Sequence, residues 1–158
     1  MNFKLLFVSG LLSVCLLSAF AQGSVTNRKA QWSASEGSSF KSFLSKTIKY
    51  PVRAQENNLQ GRVIIDFIVG KDGGLKDFVV VKDFDKECTE YAIRVLETSP
   101  EWLPAVKDGK AVCSKQSVTI YFKLIGADTE MDVEPHEGDI IVWGYGTTKT
   151  GALTKGKT

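Results

Sequence analysis

Proline is scarce in this chain. There are four, Pro51, Pro100, Pro104 and Pro135, in 158 residues, and they do not cluster, so no stiff polyproline spacer is present. Histidine is scarcer, with His136 alone, and one of the three cysteines, Cys15, falls in the apolar N-terminal stretch. The single histidine with Cys88 and Cys113 gives no zinc spacing, so no metal site is expected. An excess of one charge is also missing. The net charge is +2, Lys4 contributes to it, and nucleic acid demands a clustered basic patch that is not here. The glycines between residues 70 and 74 close a hairpin and do not open a helix, which excludes a phosphate loop and gives no reason to expect a cofactor. His136 sits among acidic residues and reads as a surface side chain. Asp66 and Asp77 are expected to face each other across a hairpin as solvated carboxylates, and Trp102 to cap the core beneath a helix. No catalytic constellation emerges, and an enzyme is not expected.

What is present is the composition of an ordinary globular chain, 43% hydrophobic and 24% charged, enough for one modest domain. Residues 1–21 read as a signal peptide. Lys4 is the positive start, residues 5–20 the apolar stretch, and Ala19-Phe20-Ala21 the small-x-small site, with cleavage after Ala21. A spanning anchor needs about 20 apolar residues, and this run is shorter and interrupted by serines. An uncleaved inner-membrane anchor and a lipoprotein cut before Cys15 are the competing readings. Export puts the chain in an oxidising compartment. For Cys88 and Cys113 two readings stay open, a disulfide or two separate buried thiols.

Residues 22–39 are rich in Ser, Gly, Asn and Gln and read as a flexible linker. Phe40, Phe43, Leu44 and Ile48 recur at helical spacing, and Tyr50-Pro51 ends that helix. Pro51 opens a short second one over residues 52–57. From Gly61, Val63, Ile65, Phe67 and Val69 alternate with mixed residues, as in a half-buried strand. Lys71-Asp72-Gly73-Gly74 is a hairpin turn, and residues 75–81 return as a second strand. Acidic residues after Asp83 suit a helix start, followed by a stripe of Cys88, Tyr91, Ala92, Val95 and Leu96. Pro100 stops it, residues 107–110 turn, and residues 114–124 form a third strand, with Val118, Ile120, Phe122 and Leu124 facing in and Ser117, Thr119, Tyr121 and Lys123 facing out. Helix, strand, strand, helix, strand predicts an α+β domain over residues 40–125, a small three-stranded antiparallel sheet with helices packed on one face. Such a sheet has edges that accept a further strand.

The runs KYPVRAQENNLQGRVIIDFIVGKDGGLKDFVVV, CTEYAIRVLETSPEWLPAVKDGKAV and VTIYFKL resemble the C-terminal domain of TonB proteins in the form common in Bacteroidetes. The shared marks are Tyr50-Pro51, Ala54, Gly61, Asp72-Gly73, Ala92, Pro100, Trp102, Pro104, Gly109 and Phe122, in that order, over about half of the chain. The resemblance implies a periplasmic module that grips the TonB box of an outer-membrane receptor by strand addition, supporting energy-coupled transport. Its implied partners are such a receptor, a TonB-type motor complex, or a second copy as a dimer. Membrane contact is expected only if the leader stays uncleaved. The third strand would supply the recognition edge, with Ser117, Val118, Thr119, Ile120, Tyr121, Phe122 and Lys123 as partner-binding residues. One departure bears on motor coupling. Residues 22–39 span roughly 60 Å at about 3.3 Å per extended residue, short for a periplasm.

Residues 126–138 are polar and acidic and read as a linker. Beyond them DIIVWGYGTTKTGAL resembles the start of the plug of large Bacteroidetes nutrient receptors, the region where such receptors carry their box. Asp139, Ile140, Ile141, Val142 and Trp143 form a box-like strand at the start of the 139–158 tail. Gly144-Tyr145-Gly146 is expected to end that strand, and the remainder to be mobile. The strand is expected to occupy the recognition edge, in its own molecule or in a dimer, and a disordered tail is the competing reading. An autoinhibited or regulatory adaptor is therefore the alternative function.

Overall fold

Alternation of buried and half-buried residues builds the sheet in the computed structural model, which describes residues 27–33, 39–100, 102–127, 129–131 and 133–147. The expected leader over residues 1–21 and the tail beyond residue 147 lie outside these. Strand β2 (Gly61–Val69) buries every odd residue, and β3 (Leu75–Lys82) returns beside it. The turn between them is closed by the Gly70 N–H on the Gly74 carbonyl at 2.8 Å and by Asp72, whose Oδ1 accepts the Gly74 N–H at 3.1 Å. Strand β7 (Ser114–Ile125) lies antiparallel on the other side of β2. Strand β8 (Ile140–Tyr145) lies beside β7, parallel to it.

The order β3-β2-β7-β8 makes a four-stranded mixed sheet and corrects the expected three-stranded antiparallel one. The reason is the inward pair Ile140 and Val142, 4% and 2% exposed, which join the core. Removing each from water is worth about 1.5–3 kcal/mol, which adds to the backbone pairing that covers an edge otherwise left bare. The expected stop at Gly144 is likewise corrected, because β8 continues through it to Tyr145.

Three helices cover the core face. In α1 (Phe40–Thr47) the Ser39 side chain caps the start by accepting the Ser42 N–H. Pro51 caps the short α2 (Val52–Glu56). The third, α3 (Lys86–Glu97), opens on Asp85, whose carboxylate accepts the Cys88 N–H at 3.1 Å. Its stripe is buried at Cys88, Ala92, Val95 and Leu96 and half-buried at Tyr91.

Part of the lead-in is structured. β1 (Gln31–Trp32) pairs with β4 (Trp102–Leu103), and Trp32 packs on Phe43 and Phe40 at 5.4 and 5.9 Å. The flexible reading of residues 22–39 missed this because one large aromatic, not periodicity, anchors the segment. Strands β5 (Ala105–Lys107) and β6 (Lys110–Val112) form a hairpin over the expected turn. Trp102 is 8% exposed and sits edge-on to Phe67 at 5.6 Å, packed in the core. Asp66 and Asp77 do not face each other. A bulge shifts the register so that Asp66 meets Val79, and Asp66 pairs instead with Lys115 at 2.7 Å. No described helix is long and apolar enough to cross a membrane.

The two cysteines are free, Cys88 buried and Cys113 exposed. This corrects both readings of the pair. Cys88 points into the core from the first turn of α3, whereas Cys113 turns outward between β6 and β7. Burial, then the nearby Asp85 carboxylate, pushes the Cys88 thiol well above its usual range. A raised value favours the neutral thiol in the fold, so this contribution to stability is complete below about pH 8.5 and is lost progressively as pH rises above it. A chain lacking residues 1–21, and so lacking Cys15, is expected to give one reactive thiol with an aromatic disulfide reagent and two after unfolding in denaturant. Two reactive thiols in the folded chain would show that Cys88 is not sealed, and none would restore the bridge.

Candidate functional site

The functional question turns on one edge. β7 is flanked by β2 along residues 114–122 and by β8 along residues 120–125. The seven residues expected to bind a partner therefore divide. Ile120, Tyr121, Phe122 and Lys123 lie opposite Ile140, Ile141, Val142 and Trp143 of the tail strand. Ser117, Val118 and Thr119 precede that pairing and line a groove of about 340 Å³ with Phe40, Trp102 and Ile140. One side chain in this group departs from expectation. Tyr121, expected outward, is 4% exposed, because it lies between Arg62 on β2 and Ile141 on β8 on the face away from the helices.

The seat of the tail strand is built from the sheet outward. Val142 sits opposite Phe122 and Gly144 opposite Leu124. A Cβ at Gly144 would lie 2.6 Å from Tyr50 Cδ2 and 2.9 Å from Leu124 Cδ2. Tyr50 cannot retreat easily. Its hydroxyl donates to the Leu59 carbonyl at 2.6 Å, and its ring stands edge-on to Phe122 at 5.3 Å. Burial, then the neighbouring Cys88 and Asp85, keeps the phenol protonated well past its usual range. Side chains in and just after α2 then take hold of the tail backbone. Gln55 Oε1 accepts the Tyr145 N–H at 2.9 Å. Asn58 closes a double clasp on Thr147, accepting its N–H at 2.8 Å and donating to its carbonyl at 2.8 Å. The Thr147 hydroxyl donates to the Glu56 carbonyl at 3.2 Å. Asn58 itself has φ 52, a left-handed conformation that asparagine tolerates better than most residues.

The connector is pinned too. Lys123 pairs with Glu134, Gln60 donates to Thr129, and Lys41 donates to the Gly138 carbonyl. His136 is exposed, and its backbone N–H donates to Asp139 Oδ2 at 2.7 Å. On the outer face of β8, Trp143 and Tyr145 are 54% and 74% exposed.

Sequence reasoning placed the tail strand but missed Tyr50, Gln55, Asn58, Gly146 and Thr147 as parts of its seat. The signal was the spacing of Gly144 and Gly146 in the two-residue period of the strand, which continues the inward positions Ile140 and Val142. Among the described residues no cluster of His, Cys, Asp and Glu could hold a metal ion. The edge can pair backbone and bury alternate side chains, and this is the chemistry of binding an extended chain.

In this small α+β sheet the β7 edge holds one extended strand, β8 of the same chain. The family model for the Gram-negative bacterial TonB protein C-terminal matches residues 46–124, half of the chain, and the chain belongs to that family. The family is a non-enzymatic, transport-coupling one, its domains are typically periplasmic, and it acts with outer-membrane receptors. Membership gives this chain a TonB-type role in TonB-dependent transport. The NMR solution structure of Helicobacter pylori TonB-CTD (residues 194–285) is similar at 23% identity and a TM-score of 0.37, covering 50% of this chain and 85% of that one. Comparison with curated proteins finds no match. Strand β8 follows the matched region.

Proposed function

We propose that the chain is a periplasmic binding module, exported by a signal peptide cut after Ala21, that grips the TonB box of an outer-membrane receptor by adding it as a strand to β7. The observation that carries this reading is the parallel pairing of β7 with β8. It supports an edge able to take an extended segment of apolar, β-branched character, as strand addition requires. The recognition residues in this reading are residues 117–123. Backbone pairing supplies the affinity, and the inward pockets supply the selection.

The second reading is carried by β8 itself. The chain acts as a regulatory adaptor whose own tail blocks the edge, with no motor coupling. A tethered strand has an effective concentration of roughly millimolar, so a receptor box of similar affinity competes only above that level. Titration of the isotopically labelled full chain with a synthetic box peptide tests both readings. Shifts centred on residues 117–123 at micromolar peptide support the gripping module. Shifts at the same residues only near millimolar peptide support the blocked adaptor. Binding that leaves those residues unmoved contradicts both.

A further inference from the structure

The seat holding β8 selects side chains at four places in one short stretch. Ile140 and Val142 are sealed into the core. At Gly144 a Cβ would collide with the pinned Tyr50 ring. At Gly146 a Cβ would lie 2.8 Å from Ala127 Cβ and 2.8 Å from Asn58 Oδ1, the atom that accepts the Thr147 N–H. Contacts nearer than about 3 Å cannot be kept, and the obstacles are a buried ring, a methyl carbon and a clasping amide. Between these positions Trp143 and Tyr145 point outward and are left largely unread. The seat thus fits apolar-x-apolar-x-Gly-x-Gly-Thr over residues 140–147 and rejects a side chain at either glycine.

We propose that this seat reads that pattern in a partner, so that the segment gripped at the β7 edge carries two inward apolar residues followed by Gly-x-Gly-Thr and enters by exchange with the chain's own tail. The inference rests on the strand-addition reading above and names the partner segment. Exchange must be like for like. Lifting β8 off uncovers the core around Phe122 and Leu124, and only a segment with matching inward residues covers it again. A strand lacking the glycines pairs as far as the position of Val142 and then meets Tyr50.

The test uses the full chain carrying Gly144→Val, which unseats its own tail, and a labelled synthetic peptide of residues 138–148. Fluorescence anisotropy reports binding, and amide-exchange protection along residues 61–69 reports that the variant is folded. The peptide is expected to bind this variant at least tenfold more tightly than it binds the unaltered chain. Peptides with valine at the Gly144 or the Gly146 position are expected to bind at least tenfold more weakly. Adding Asn58→Gly to the variant keeps the left-handed backbone and removes the clasp, and it is expected to weaken the parent peptide about tenfold for two lost hydrogen bonds. Equal binding of the glycine and valine peptides, with protection gained along residues 120–125, overturns the pattern and leaves strand addition standing. No binding by any peptide overturns strand addition as well. If Gly144→Val does not fold, the same peptide comparison at millimolar concentration against the unaltered chain decides the matter, since exchange then occurs in the native protein.

Discussion

Phe122→Ala is expected to lower the free energy of unfolding by about 3–5 kcal/mol. Phe122 is 0% exposed and holds two rings in place. Tyr50 stands edge-on to it, and Phe84 lies 5.7 Å away on its other side. Phe84 in turn occupies the space left by Gly61, the residue opposite Phe122 in β2. Truncation leaves a cavity that neither ring can close without losing its own contacts, and cavity cost adds to the lost burial. Urea unfolding with an unchanged slope checks the value. Tyr145→Ala, on the exposed outer face, is the control and should stay within about 0.5 kcal/mol. A loss below about 2 kcal/mol for Phe122→Ala would mean that the core collapses around the site. The same variant should loosen Tyr50 and so weaken the tail seat, visible as faster amide exchange along residues 140–145.

Asp85→Ala is expected to cost about 2 kcal/mol, the upper end for loss of a helix cap. The Asp85 side chain is 7% exposed and meets Arg53 Nη2 at 2.7 Å, while its carboxylate also accepts the Cys88 N–H. Removing it orphans the cap and leaves Arg53 with Glu87 at 2.9 Å. Burial works to raise the Asp85 carboxyl, but the Cys88 backbone N–H and thiol, then the Arg53 guanidinium, hold it below the usual carboxylate range. The folded state favours the ionised form, so the contribution is complete above the ordinary value of about 3.9 and is lost as pH falls through the lower, folded value. Urea unfolding at stepwise lower pH should show a decline below about pH 4 that is smaller in Asp85→Ala. Asp85→Asn retains a capping oxygen and should recover much of the loss at pH 7. Equal declines in the parent and the alanine chain would remove Asp85 from the acid response.

Elements with strong periodicity or strong stop signals were legible from residues alone. Val63, Ile65, Phe67 and Val69 announce β2, the paired glycines after Asp72 announce the turn, and the acidic entry over residues 83–86 before an i, i+4 stripe announces α3. The core was legible for the same reason, since one period dictates one buried face. Pairings that depend on distant partners were not. Gln31–Trp32 has no pattern of its own and forms a strand because Trp102–Leu103 is there to receive it. Tyr121 looked solvent-facing because alternation assigns a face but not what lies beside it. The tail was half legible. Ile140 and Val142 marked a strand, but the glycines were read as ending it by weakening the pairing, whereas Gly144 is set by the ring of Tyr50, distant in sequence and visible only in three dimensions.

If the β7 edge is a strand-addition site filled by the chain's own tail until a partner segment replaces it, amide hydrogen exchange on the full chain, with and without excess receptor-box peptide, will report the replacement. The free chain should protect both residues 120–125 and residues 140–145. With peptide bound, protection should persist along 120–125 and vanish along 140–145, because one strand has replaced another. Protection retained along 140–145 while peptide is bound would contradict replacement of the tail at this edge.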